Sequence, residues 1–354
     1  MNDEIRVGII GYGLAGSVFH APLIAATPGL ALTAIVSRDA QRTAQAQATY
    51  PGVAVFDSAD ALFDSDQIDV AVVTTPNTTH APIARDAISR GIAVVVDKPL
   101  AVSVDEASTL IDYAEQSNVL LTVFQNRRWD GDFLTVAALL DTGTLGTVTR
   151  FESRFERWRP RLKGGWRESN KPAQGGGLLF DLGPHLIDQA LTLFGPVESV
   201  YAEIDTRRVG ATSDDDVFVA LTHANGVRSH LFASAVAADL GPRFRVLGTN
   251  GAYVTYGLDV QEAALRAGGR PGPGWGDVPS DHWGVLTDID AASAPYPTMA
   301  GRYQDFYAQL VLALRQQGPI PVDPSGPLQA LRIISAALES STRQTAVRMP
   351  TGSA

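Results

Sequence analysis

The sequence contains no cysteine in 354 residues, which excludes disulfides, thiolate metal sites and a cysteine nucleophile. It is nearly as poor in lysine: among 28 basic residues only Lys98, Lys163 and Lys171 are lysines, and the rest are arginine. Arginine does not lose its proton in proteins, whereas lysine exchanges one when desolvated or placed beside another cation. A chain that uses arginine almost everywhere therefore draws attention to each lysine it keeps. No apolar run is long enough to span a membrane, and the opening Asp3-Glu4 followed at once by a short apolar strand is unlike a signal peptide, so a cytoplasmic protein is expected. Positive charge is in deficit, with a formal net charge of −10, which argues against nucleic acid or an anionic membrane as a partner. The exception is Arg150–Lys171, where eight basic and three acidic residues leave a local excess. Such a stretch suits a substrate cleft, a subunit interface or a solvated strand face.

What is present is a globular composition, 45% hydrophobic and 19% charged, of a length that suits two domains of roughly 100–200 residues each. Apolar runs at Ile5–Ile10, Leu30–Val36, Val53–Phe56, Val70–Thr74, Ile92–Val96 and Val119–Val123, the first four and the sixth nearly continuous and Val/Ile-rich, alternate with helical segments near 14–26, 39–48, 58–64, 79–90 and 103–117. Ser103 followed by Glu106 marks a capping box on the last of these. This alternation predicts an α/β fold with an N-terminal doubly wound parallel sheet of the Rossmann type.

After a helix near 132–141 the strands follow one another: Val148–Trp158, Val197–Thr206, Asp216–His223, Val227–Ala237, Arg243–Gly248 and Ala252–Tyr256. Asn225-Gly226 and Asn250-Gly251 are hairpin signals. The second half thus reads as an α/β domain with a mostly antiparallel open sheet, joined by helices near 184–194, 301–316 and 325–343. Pro271–Gly276 and Ala294–Pro297 read as loops. The boundary is placed near residue 125, giving a dinucleotide-binding domain over 1–125 and a substrate-binding and oligomerisation domain over 126–354.

Gly11-Tyr12-Gly13-Leu14-Ala15-Gly16 follows the first strand and opens a helix. There, glycines allow a tight turn and a close approach of backbone to a pyrophosphate at the helix N-terminus, so Gly11, Gly13, Leu14 and Gly16 are expected to bind the cofactor. The second strand ends Ser37-Arg38-Asp39, with Arg42 a turn later. Ser37 holds the position where NAD binders usually carry an acid, and Arg38 and Arg42 are placed for a 2′-phosphate. NADP is favoured, with NAD left open by Asp39. Thr75, Pro76 and Asn77, at the end of the fourth strand, are expected to line the same cofactor, or to form a plain turn and cap. The fifth strand ends Asp97-Lys98-Pro99, which puts one of the few lysines at the carboxyl end of a central strand. Asp181 and His185, four apart around Pro184, pair a carboxylate with an imidazole as proton transfer requires, if the helix begins early enough. A cap and a partly buried helical histidine are the plainer alternatives. No third ligand stands nearby, so no metal is expected.

On these residues the chain resembles the GFO/IDH/MocA oxidoreductases over essentially its full length, with Asp97-Lys98-Pro99 where that family usually has Glu-Lys-Pro. Gly11–His20 running into Ala21-Pro22-Leu23, Asn126-Arg127-Arg128-Trp129-Asp130 and Asp181–Gln189 are similar to its NADP-dependent scyllo-inositol dehydrogenase branch. The resemblance implies that Lys98, Asp181 and His185 form the catalytic set beside a nicotinamide. It also implies a cyclic polyol or sugar as substrate and a homo-oligomer, dimer or tetramer, assembled through the open sheet. Lys98, Asp181 and His185 would also touch the substrate. Asn126, Arg127, Trp129, Arg157 and Trp166 are the further candidates for holding its hydroxyls and stacking on its apolar face. A different sugar or diol, or a nucleotide-binding regulator without catalysis, are the rival readings.

Overall fold

Short apolar runs bounded by glycine and polar residues build the first half of the chain; the computed structural model describes residues 4–162, 164 and 175–350. Strands β1 (Ile5–Ile10), β2 (Leu30–Val36), β3 (Ala54–Phe56), β4 (Val70–Val73), β5 (Ala93–Asp97) and β6 (Leu121–Phe124) form one six-stranded sheet. Its order is β3-β2-β1-β4-β5-β6 and its pairings are parallel, as the alternation predicts. The four residues of β4 are wholly withdrawn from solvent, which is the fate of strands covered on both faces. A π-helical turn, Ala15–His20, runs directly into α1 (Ala21–Ala26), and α2 (Ala40–Thr49), α3 (Ala59–Phe63), α4 (His80–Ser89) and α5 (Val104–Gln116) make the crossovers. Ser103 caps α5 by accepting the Glu106 N–H at 3.2 Å.

The register aligns the ends of the strands. Ile10 stands opposite both Val36 and Val73, and Val73 opposite Val96. Gly11, Ser37, Thr74 and Asp97 are the next residues of four neighbouring strands, so they share the carboxyl edge of the sheet. The chain reverses its direction of travel across the sheet between β1 and β4, and ligands bind in α/β sheets outside the carboxyl ends at such a point.

The second sheet has nine strands in the order β14-β13-β12-β11-β7-β10-β9-β8-β15. It contains β7 (Val148–Glu156), β8 (Val197–Asp205), β9 (Asp216–His223), β10 (Arg228–Ser234), β11 (Phe244–Gly248) and β12 (Ala252–Thr255). To these are added β13 (Gly284–Thr287), β14 (Ser293–Tyr296) and β15 (Val347–Arg348), which the sequence pattern does not predict. Among the described residues of this sheet only β7 and β10 pair in parallel. The Asn225-Gly226 and Asn250-Gly251 hairpins both form. Residues 294–296 of the segment 294–297, read as a loop, instead belong to β14 at one edge of the sheet, where Pro295 is tolerated because an edge strand has one side that needs no N–H.

Helix α6 (Gly131–Asp141) precedes this sheet; α7 (Leu178–Phe194) packs on β7, β9 and β10, and α8 (Val260–Arg266), α9 (Gln304–Leu314) and α10 (Ser325–Arg343) complete the chain. Two compact units result. The first takes Met1–Trp129 together with Val260–Gly276 and Arg302–Leu328; the second takes Asp130–Asp259, Asp277–Gly301 and Gln329–Ala354. The first is therefore not the single contiguous span that a cut near residue 125 describes. Its late segments are held by buried groups: the Thr122 hydroxyl donates to the Val322 carbonyl at 2.7 Å, and Phe306 packs edge-on against Phe124 and Trp129. Thr122→Val keeps the shape and leaves that buried carbonyl unsatisfied, so urea unfolding is expected to show a loss of about 1–3 kcal/mol.

Candidate functional site

The three glycines at the end of β1 divide the work. Gly11 turns with φ of +97°, a conformation that favours glycine. A Cβ added at Gly13 would meet only the Arg42 guanidinium, 3.9 Å away, so the backbone there is open to an approaching group. A Cβ at Gly16 would collide with the Gly11 carbonyl, so this glycine is required for helix and strand to pack closely. Tight turn, open backbone and close packing, in that order, are what a pyrophosphate cradle needs. A dinucleotide fits this edge. Leu14, half exposed, stands at the mouth of the turn.

At the end of β2 the Asp39 carboxylate turns back to cap α2, accepting the N–H groups of Gln41 at 2.9 Å and Arg42 at 3.1 Å. Arg38 is exposed, with Nε on the Asp57 carbonyl at 2.9 Å. Ser37 donates its backbone N–H to the Phe56 carbonyl and carries no charge. At the end of β4, Thr74 ties the first and fourth strands by donating to the carbonyls of Ile10 and Gly11. Thr79 closes the following turn on the Thr75 hydroxyl and the Pro76 carbonyl, both at 2.7 Å, and Asn77 is buried. His80 is 1% exposed, and its two ring nitrogens lie 2.8 Å from the carbonyls of Pro99 and Thr75. It joins the loops that leave β4 and β5.

Lys98 follows β5, and the Lys98–Pro99 peptide is cis. The Asp97 Oδ1 accepts the Lys98 N–H at 2.9 Å. Burial pushes the Asp97 carboxyl up, but His20 and the charges of Lys98 and His80 outweigh it and hold it below its ordinary value. Asn126, Arg127 and Trp129 form a short 3₁₀ turn after β6 and are all buried. Arg127 donates to the Tyr303 hydroxyl at 2.9 Å and to the Glu262 carboxylate. Burial acts to raise the Glu262 carboxyl, and Arg127 and Arg266 override it and lower it. Trp129 meets Phe306 edge-on, 5.7 Å between ring centres. The structure thus gives Arg127 and Trp129 partners within the first unit.

In the second unit α7 begins at Leu178, well before the start near 184 read from Pro184, and Pro184 lies inside it. Asp181 and His185 are therefore both helical, one turn apart on one face. The early start has a remote cause. The Asp214 carbonyl accepts the Leu178 N–H at 3.0 Å and the Asp214 carboxylate accepts the Leu179 N–H at 2.7 Å. Gly177, with φ of +89°, leaves the space this carboxylate fills, since a Cβ there would collide with it. Further along, Gln189 accepts from Arg243 at 2.8 Å, and that buried guanidinium is stacked on Phe155 and Phe244 and faces Asp132 at 3.6 Å. His185, 6% exposed, stands edge-on to Phe155. Arg157 donates its backbone N–H to the Ser234 carbonyl; Arg150 and Arg154 pair with Glu152 along β7, and Arg245 reaches the same carboxylate from β11. Trp166, Lys163 and Lys171 lie outside the described residues.

Sequence reasoning gave no role to His20, Asp214, Glu262 or Tyr307, each of which has a partner distant in the chain. The run Asp214-Asp215-Asp216, which leads into β9, was the one local trace of the α7 cap.

A Rossmann sheet with this glycine turn, followed by a second α/β unit, is an architecture that dinucleotide-dependent oxidoreductases use. Residues 5–125 match the model of an oxidoreductase family with an NAD-binding Rossmann fold, and residues 133–254 match the GFO/IDH/MocA C-terminal domain. The chain belongs to the GFO/IDH/MocA oxidoreductase family. It is 42% identical to the Escherichia coli oxidoreductase YdgJ, over 96% of this chain and 97% of that one. It is 34% identical to the NADP-dependent scyllo-inositol 2-dehydrogenase IolW of Bacillus subtilis, over 98% and 96%. The solved structure of the oxidoreductase yvaA from Bacillus subtilis matches with a TM-score of 0.93 at 32% identity, covering 99% of each chain. No helix among the described residues is long and apolar enough to cross a membrane.

Asp214 has a measurable consequence. Burial pushes its carboxyl from 3.8 up to about 6, against the pull of the backbone N–H groups it accepts. A carboxyl raised in the folded state contributes stability that is complete below pH 3.8 and lost as pH rises through about 6. Asp214→Asn is expected to flatten this fall, which amounts to up to about 3 kcal/mol between pH 4 and 7. Denaturant titrations of both proteins across that range check it.

Proposed function

We propose that the protein reversibly oxidises a secondary alcohol of a cyclic polyol or sugar, with NADP as cofactor and scyllo-inositol as the first substrate to try. The observation that carries this is the shared carboxyl edge: the residue after Asp97 is Lys98, and Asp97 stands in register with the glycine turn and with Thr74. Likeness to IolW supports the substrate class. NADP is favoured because Asp39, the one acid near the ribose position, is used as a helix cap, while Arg38 and Arg42 flank a neutral Ser37. Gly11, Gly13 and Gly16 would hold the pyrophosphate, and Thr75, Pro76 and Asn77 the nicotinamide half.

When bound, the cofactor supplies the acceptor for the carbinol hydrogen as hydride. His185, oriented by Asp181, takes the hydroxyl proton; Lys98 donates a hydrogen bond to the same oxygen and stabilises its alkoxide character. Exchanging these two roles leaves the proton balance unchanged. Asn126 and Arg157 are assigned to the substrate hydroxyls. Arg127 and Trp129, given their partners, are assigned to the packing of the first unit rather than to the sugar.

Nicotinamide absorbance followed over a panel of inositols, sugars and diols, with NAD and NADP in parallel, tests the reading. Lys98→Ala and His185→Ala are each expected to lower turnover at least about a hundredfold while NADP still binds. Arg42→Ala is expected to weaken NADP about tenfold, roughly 1.4 kcal/mol, and to leave NAD unchanged. Near-normal turnover in both catalytic variants would sink the assignment. Tight NADP binding with no turnover on any substrate would point to a regulator.

The homo-oligomer belongs to the same reading. One face of the nine-stranded sheet packs α7, and the other carries Phe218, Phe232, Tyr201 and the Arg154–Glu152 pair. A second copy covering that face is expected to give at least a dimer in sedimentation, and a monomer would remove it.

A further inference from the structure

His20 is fully buried in the first unit, a place where an apolar ring would pack as well and cost nothing to desolvate. Its ring lies on Phe124, with centroids 4.2 Å apart, and near Tyr307. Its two nitrogens are not equivalent. Nδ1 is 2.6 Å from the Tyr307 hydroxyl. Nε2 has no hydrogen-bond partner among the described residues and points at Asp97 Oδ1, 3.9 Å away. That oxygen is the one that accepts the Lys98 backbone N–H.

The tautomer follows from these neighbours. A carboxylate only accepts, so the ring proton belongs on Nε2, and Nδ1 must then accept from the phenol. Tyr307 is suited to donate, because burial and the Asp97 charge push its hydroxyl well above its ordinary value and keep the proton in place. The distance of 3.9 Å makes the contact with Asp97 electrostatic rather than a hydrogen bond. Tyr307, His20, Asp97 and Lys98 thus form a line from α9 through the helix that follows the glycine turn to the end of β5.

We infer that His20, with its tautomer set by Tyr307, is a positioning residue that fixes the Asp97 carboxylate beneath Lys98 and thereby holds Lys98 in one placement. This rests on the role given to Lys98 above, but its test does not. Without the Nε2–H dipole, Asp97 keeps the Lys98 backbone N–H and the charges of Lys98 and His80, and the Lys98 side chain samples several placements. Asp97 is the natural point of transmission because its oxygen touches both the ring and the lysine backbone.

The scarcity of lysine supplies the probe. With only three lysines in the chain, selective ¹³C-lysine labelling gives three side-chain signals, and Lys98→Arg identifies that of Lys98. In Tyr307→Phe, which removes a single oxygen, and in His20→Phe, the Lys98 Cε signal is expected to shift or broaden while those of Lys163 and Lys171 stay in place. His20→Gln, which can still present an N–H, is expected to restore part of the wild-type position. Phe306→Leu, a packing change in the same aromatic cluster, is expected to leave the Lys98 signal unmoved whatever it does to the melting temperature. With a substrate in hand, Tyr307→Phe is expected to lower kcat roughly ten- to hundredfold with KM for NADP unchanged. An unmoved Lys98 signal in folded Tyr307→Phe, or an equal shift in Phe306→Leu, would overturn the inference. Retained turnover in Lys98→Ala with a shifted signal in Tyr307→Phe would instead overturn the function of Lys98 and leave the coupling standing.

Discussion

A carboxylate largely drawn out of water at the end of a central strand has to be compensated, and the way Asp97 is compensated organises the carboxyl edge of the first sheet. Left alone, burial would favour its neutral form; His20, Lys98 and His80 reverse that. Each of these groups arrives from a different element: His20 from the helix after the glycine turn, His80 from α4, Lys98 from the residue following β5. Compensating one charge therefore brings together the three segments that a dinucleotide would touch. His80 adds its two carbonyl contacts to Thr75 and Pro99, so the loops after β4 and β5 cannot move independently.

The second unit meets a comparable demand in a different way. A helix exposes N–H groups at its start, and a buried start needs acceptors. For α7 these come from Asp214, so the residue that decides where the helix begins is 35 positions from the amide it caps. Pro184, which lacks an N–H and suits a first turn, is consequently housed in the helix interior. Arg243 then holds the far part of the same helix to β7 through Gln189 and Ser153. Asp181 and His185 sit between these two anchors, on a stretch with little freedom to shift.

The parallel sheet was legible because strands buried on both faces leave a signature that depends only on their own residues, and the glycine turn was legible because each glycine answers a local steric need. Ser103 and the Asn-Gly hairpins belong to the same local class. What escaped was set by distant partners. The start of α7 depends on Asp214, the burial of His20 on Tyr307, and the partners of Arg127 on Glu262 and Tyr303. β13, β14 and β15 are short strands of two to four residues, too brief for alternation to register. The lysine count did point to Lys98, but by composition, which says that a residue is unusual and not what holds it.

The first unit is assembled from three separated lengths of chain, and this has a bearing on how the protein comes into being. All six strands of the Rossmann sheet lie within the first 129 residues, yet Tyr307 and the Val322 carbonyl, which finish its interior, belong to the segment Arg302–Leu328. During synthesis the sheet emerges first and must wait for almost the whole polypeptide before His20 and Thr122 find their partners. Most of the second unit is made in that interval, so it is free to condense around its own sheet while the first is still incomplete. The nucleotide edge is thus among the earliest parts of the chain to be made and among the last to be finished.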